Sequence, residues 1–144
     1  MIEQDTIRLL RECDAGIKMG VASIEDVMDK VQADGFKQCL KDCETKHQAL
    51  KKEIQGLLDQ YQDEGKEPNP MAKGMSWIKT NAKLAMDDSD ETIADLMTDG
   101  CNMGVKSLNR FLNQFEAADE QSKDITKRLI HLEQNLATDI QQYL

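Results

Sequence analysis

The stretch FKQCLKDCETKHQALKKEIQGLLDQY, residues 36–61, decides the fold. Phe36, Leu40, Cys43, His47, Leu50, Ile54, Leu57 and Tyr61 recur at steps of three and four, with charged and amide side chains between them. A strand would alternate at every second residue. This spacing instead draws one stripe along a helix of about seven turns.

Upstream, Ile7, Leu10, Asp14, Ile17, Val21, Ile24, Met28 and Val31 carry the same period and predict a first helix over 3–32. QADGF (32–36) interrupts the pattern, and Gly35 suits a turn. Two long amphipathic helices with so short a link form an antiparallel hairpin. Downstream, DEGKEPNP (63–70) is polar and contains both prolines, Pro68 and Pro70, so it ends the second helix. MAKGMSWIKTNAKLAM (71–86) has the length and composition of a short helix with Trp77 on its apolar side.

Asp88 and Glu91 then have capping-box spacing, placing the start of the third long helix near Ser89 or Asp90. Its apolar positions are Ala94, Met97, Cys101, Val105, Leu108, Leu112 and Phe115. After a break around EAADEQS, a fourth helix carries Ile125, Leu129, Leu132, Leu136, Ile140 and Tyr143. The expected architecture is one all-α domain over 1–144, a four-helix bundle of two antiparallel hairpins joined by a long crossover that contains a short helix.

An internal repeat links the halves. GIKMGVASI (16–24) matches GCNMGVKSL (100–108) at Gly, Met, Gly, Val and Ser, with an offset of 84 residues. Glycine costs about 1 kcal/mol against alanine inside a helix. The pairs Gly16/Gly20 and Gly100/Gly104 therefore imply close approach of backbones where the first and third helices cross.

These features resemble the ferritin-like superfamily and, within it, an uncharacterised bacterial family of four-helix bundles distantly similar to rubrerythrin. The resemblance spans nearly the whole chain. It rests on DAGIKMGVASIEDV, the DGF turn, MAKGMSWIKTNAKL and DLMTDGCNMGVKSLNRFL. In relatives of the rubrerythrin kind, a Gly-Glu step in helix 1 and another in helix 3 each supply a carboxylate to iron. The similar steps here are Gly16-Ile17 and Gly100-Cys101, which lack the carboxylates. The helix-2 Glu-x-x-His of those relatives falls on Leu50 and Glu53, and helix 4 has Glu133 followed three residues later by Leu136. The resemblance thus implies a ferritin-like bundle without the di-iron ligand set.

Glu44 and His47 do form a Glu-x-x-His pair, displaced by about six residues, or about 9 Å, from that level. With the hairpin centred on Asp34, His47 is level with Val21, Glu44 with Ile24, and Ile17 with Lys51 and Leu50. Two alternative sites remain open. Glu25, Glu44, His47 and His131 could hold one metal ion; Cys39, Cys43 and His47, at i, i+4 and i+8, could present soft ligands to zinc or copper. Zinc, iron and copper are the candidate ions, and the leading expectation is no cofactor. Asp14 is a carboxylate inside a seam and calls for a basic partner at a solvated bundle end, with Lys52 the candidate.

Net charge is −9, which argues against nucleic acid as a partner. The lysines 73, 79 and 83 make a small basic island on the crossover, read as a solvated face. No apolar run reaches membrane-spanning length, and the N-terminus has no signal-peptide pattern, so a cytoplasmic chain with four reduced cysteines is expected. No nucleophile–base motif or phosphate loop is present, which points away from an enzyme. The function expected is a binding, assembly or stress-related module, with homodimerisation through an apolar stripe. No motif names a protein partner.

Overall fold

The computed structural model describes residues 2–66, 84 and 86–144. Among these are four α-helices and no strand: α1 (Ile2–Met28), α2 (Asp34–Gln60), α3 (Asp90–Gln114) and α4 (Glu120–Asp139). A short 3-10 turn, Gln141–Tyr143, follows. The expected crossover helix over 71–86, with Trp77 and the lysines 73, 79 and 83, lies almost wholly outside the described residues.

Polar contacts at the helix ends fix the chain directions. The α1–α2 turn gives its Gln32 and Ala33 amides to the carboxylate of Asp90, at 2.8 and 2.9 Å, so α3 begins at that end. At the opposite end the Asp119 amide donates to Thr6 Oγ1 at 2.8 Å, so α4 begins beside the start of α1. Helices α1 and α4 therefore run one way and α2 and α3 the other. The connection from α2 to α3 joins opposite ends of the bundle. Helix α1 packs on the other three and so does α4, leaving α2 and α3 to flank this central pair.

Local sequence accounts for the boundaries. Ser89 caps α3 by accepting from the Thr92 amide, and Asp119 caps α4 by accepting from the Ser122 amide. The cap of α3 is thus Ser89 with Thr92 rather than the Asp88–Glu91 box. Helix α1 stops at Met28, four residues short of expectation; the Lys30 and Val31 amides turn back to the Val27 carbonyl, and Asp90 holds the Gln32 and Ala33 amides beyond them. Gly35 is not in that turn but in the first turn of α2. A Cβ there would stand 2.5 Å from the Tyr143 hydroxyl, whose ring stacks on Phe36 at 4.7 Å.

The buried face of α1 is broader than one seam. Thr6, Leu9, Cys13 and Val27 are buried beside the expected positions, while Ile7 and Met28 are half-exposed. A helix touching three neighbours needs more than a single stripe. On α2 the register slips by one residue near the end, where Leu58 is buried and Leu57 only partly so.

The apolar interior has two large clusters and a small third one of Leu9, Phe115 and Ala118. One large cluster fills the turn end and includes Ile24, Phe36, Leu40, Cys43, Met97 and Cys101. The other fills the opposite end and includes Leu10, Ile17, Leu50, Ile54, Leu108 and Leu129. Ile17 and Leu50 share one cluster, as residues level in the hairpin should, while Cys101 belongs to the other.

Candidate functional site

Between the two clusters lies a polar layer. His47 sits on α2 between Cys43 of one cluster and Leu50 of the other, and is 1 % exposed. Its Nδ1 lies 2.8 Å from the Cys43 carbonyl oxygen, to which only an N–H can donate. The Cys43 thiol is close to the same nitrogen, at 3.3 Å. On the far side of the ring Nε2 is 3.0 Å from Glu133 Oε1 on α4. Burial disfavours a charged ring, but the contacts with Cys43 and Glu133 outweigh it and push the His47 pKa up to about 10. At neutral pH both ring nitrogens therefore donate, and His47 and Glu133 form a buried ion pair across the bundle.

Glycines of both repeat copies border this pair. A Cβ on Gly20 would stand 3.1 Å from His47 Nε2 and 3.2 Å from Cδ2, so a ring pinned on both nitrogens would have to shift by a few tenths of an ångström. A Cβ on Gly104 would meet Glu133 at 3.6 Å, an ordinary van der Waals contact. Burial also raises the pKa of the Cys101 thiol, and the charge of nearby Glu133 raises it further. All four helices thus contribute to one level of the bundle. The glycines were expected to let the α1 and α3 backbones approach; instead Gly20 makes room for an imidazole and Gly104 lies against a carboxylate.

A groove of about 400 Å³ between α1 and α3 leads down to Glu133 and His47. Its walls are the internal repeat: Gly16, Met19, Gly20 and Ser23 on α1 face Gly100, Met103, Gly104 and Ser107 on α3. Among the described residues none fills this space, and a Cβ on the exposed Gly16 would meet none of them within 4 Å.

The sequence candidates fall in three places. Glu25 and Glu44 do meet, but on the outer surface of α1 and α2: burial first, then the charge and hydrogen bond of Glu25, raise the Glu44 pKa. His47 turns away from them into the core. His131 is exposed and stands apart from the pair. Cys39 is half-buried, and Cys43 is buried on the Nδ1 side of the ring, opposite Glu133. All four cysteines are free thiols. Among the described residues, no group of three or more His, Cys, Asp or Glu side chains is arranged to hold a metal ion.

One expected partnership also changes. Asp14 is 1 % exposed rather than solvated; its Oδ2 accepts from the Lys66 amide at 3.0 Å and pairs with Lys18 at 2.8 Å. Lys18, one turn along the same helix, therefore takes the part foreseen for Lys52. Glu53, the carboxylate level with Asp14 in the hairpin, is paired with Arg128, which lowers its pKa.

Glu133 is the residue that sequence reasoning passed over. It lies four residues after Leu129 and three before Leu136, a seam position equal to that of Leu132. An acid at a seam position, with a histidine at a seam position on another helix, was the available signal. No protein-family model, curated protein or solved structure matches this chain. None of the helices among the described residues is long and apolar enough to cross a membrane.

Proposed function

We propose that this chain is a ferritin-like four-helix bundle without the di-iron ligand set, serving as a non-enzymatic binding module whose site is the groove between α1 and α3. The observation that carries the reading is the engagement of both His47 ring nitrogens within the chain, directly beneath a groove that the described residues leave unfilled. Bundles of the ferritin-like kind build their sites from facing side chains at mid-height. Here that level holds an ion pair and two glycines. The antiparallel hairpins with one long connection support the same assignment, as do Ile17 and Cys101 at the two Gly-x steps, which put a thiol and an aliphatic side chain where carboxylates would be needed.

As a catalyst the pair is poorly placed. An acid–base histidine needs one nitrogen free to exchange a proton with substrate, and His47 is 1 % exposed with both nitrogens occupied. A binding site needs only a shaped cavity and a few fixed polar atoms.

Metal analysis of untagged protein, with thermal unfolding in the presence and absence of a chelator, tests the assignment. The expected result is protein without stoichiometric metal and with an unchanged unfolding temperature. Stoichiometric zinc, iron or copper that disappears in His47→Ala would replace this reading with a metal or redox function around His47, drawing on Glu25 and Glu44 or on Cys39 and Cys43.

A further inference from the structure

We infer that the groove takes an uncharged, mainly apolar molecule carrying one hydrogen-bond donor, a phenol or alcohol, whose hydroxyl donates to Glu133. This rests on the reading of the groove as a binding site and specifies its ligand.

The walls set the apolar part. Met19, Ile24, Met97, Leu108 and Phe111 present aliphatic, thioether and aromatic surface. Methionine adapts its shape to an irregular guest better than a branched side chain. A volume of about 400 Å³ suits a small ring with a short alkyl chain.

Charge balance sets the absence of net charge. At the floor, the negative charge of Glu133 is offset by the His47 imidazolium. Towards one end of the groove, Glu12 is paired with Lys66. An ionic ligand would lose its hydration and find no unpaired opposite charge among these groups.

The donor follows from what Glu133 has left. One oxygen accepts from His47 Nε2, and the carboxylate side chain retains 13 % exposure where the groove meets it. An ionised carboxylate is acceptor-only, with more lone pairs than His47 uses. No Cβ on Gly104 stands between it and the opening. A hydroxyl placed there forms a charge-assisted hydrogen bond in a largely apolar setting. The same molecule with that hydroxyl methylated would cover the carboxylate without satisfying it, which such sites reject strongly.

Calorimetric titration with para-heptylphenol and its methyl ether, para-heptylanisole, tests the proposal on the full chain. The phenol is expected to bind once per chain and about tenfold or more tighter than the ether. Gly16→Phe, which fills the groove from a position where a side chain meets no neighbour, is expected to abolish binding of both; Met19→Trp does the same from the same rim if Gly16→Phe fails to fold. Equal affinities for phenol and ether, both lost in the filled variant, would overturn the donor and leave the groove as a binding site. Binding that survives both filled variants, or no binding of either compound, would overturn the groove as well.

Discussion

Residues 16–24 and 100–108 share Gly, Met, Gly, Val and Ser at equivalent positions, yet they do different work. In the first copy, Gly20 lies against the edge of an imidazole fixed at both nitrogens, at a distance where a methyl group would be tight. In the second copy, Gly104 lies against a carboxylate stem with room for one. The wall residues are equivalent, and the difference comes from what stands behind them. Helix α2 supplies a ring that abuts α1, and α4 supplies a flexible acid that reaches between α1 and α3. A repeat in sequence therefore does not imply a repeat in constraint.

The largest effect should come from removing the group that creates this asymmetry. His47→Ala leaves the Glu133 carboxylate without its buried partner and is expected to cost about 3–5 kcal/mol in urea unfolding. His131→Ala, the equivalent by the repeat offset, removes an exposed ring and should change stability by less than about 0.5 kcal/mol. Comparable losses from the two histidines would break the comparison.

pH sharpens it next. The folded-state pKa of His47 is raised to about 10, whereas an unfolded histidine titrates near 6.5. Its stabilising contribution is therefore complete below about pH 6.5 and is lost as pH rises towards 10. Unfolding followed across that window should show the parent losing stability relative to His47→Gln, in which the titrating ring is gone. Parallel curves would place the ring's pKa at its ordinary value.

Gly20→Ala gains helix propensity of about 1 kcal/mol but overpacks the His47 ring, at a cost of about 1–3 kcal/mol. A net loss of about 1 kcal/mol is expected. Gly104→Ala gains the same propensity without the clash and should stabilise the protein by about 0.5–1 kcal/mol, read as a higher unfolding midpoint. If both alanines stabilise, the first copy is no more constrained than the second.

How much of this was legible in the sequence follows from the range of each interaction. The four helices and the level at which α1 meets α2 are written in local periodicity and in the length of one turn. Hairpin geometry alone put His47 beside Val21, and the ring packs against Gly20. The His47–Glu133 pair joins residues 86 positions apart, and no periodicity within either helix specifies the rotation of α4 against α2. The choice between Leu132 and Glu133 as the inward residue depends on that rotation. Glu25 and Glu44 illustrate the converse: spacing and depth were right, and they do meet, but on the outer face. Depth along a helix is readable from sequence; azimuth around it is settled by packing.

The central claim is that Gly20 is glycine because His47 stands against it, and a double-mutant cycle tests that most directly. Gly20→Ala is introduced into the parent and into His47→Ala, and stability is measured by urea unfolding. The account predicts a loss of about 1 kcal/mol in the parent and a gain of about 1 kcal/mol once the ring is gone, a coupling of about 2 kcal/mol. The same change in both backgrounds would contradict it.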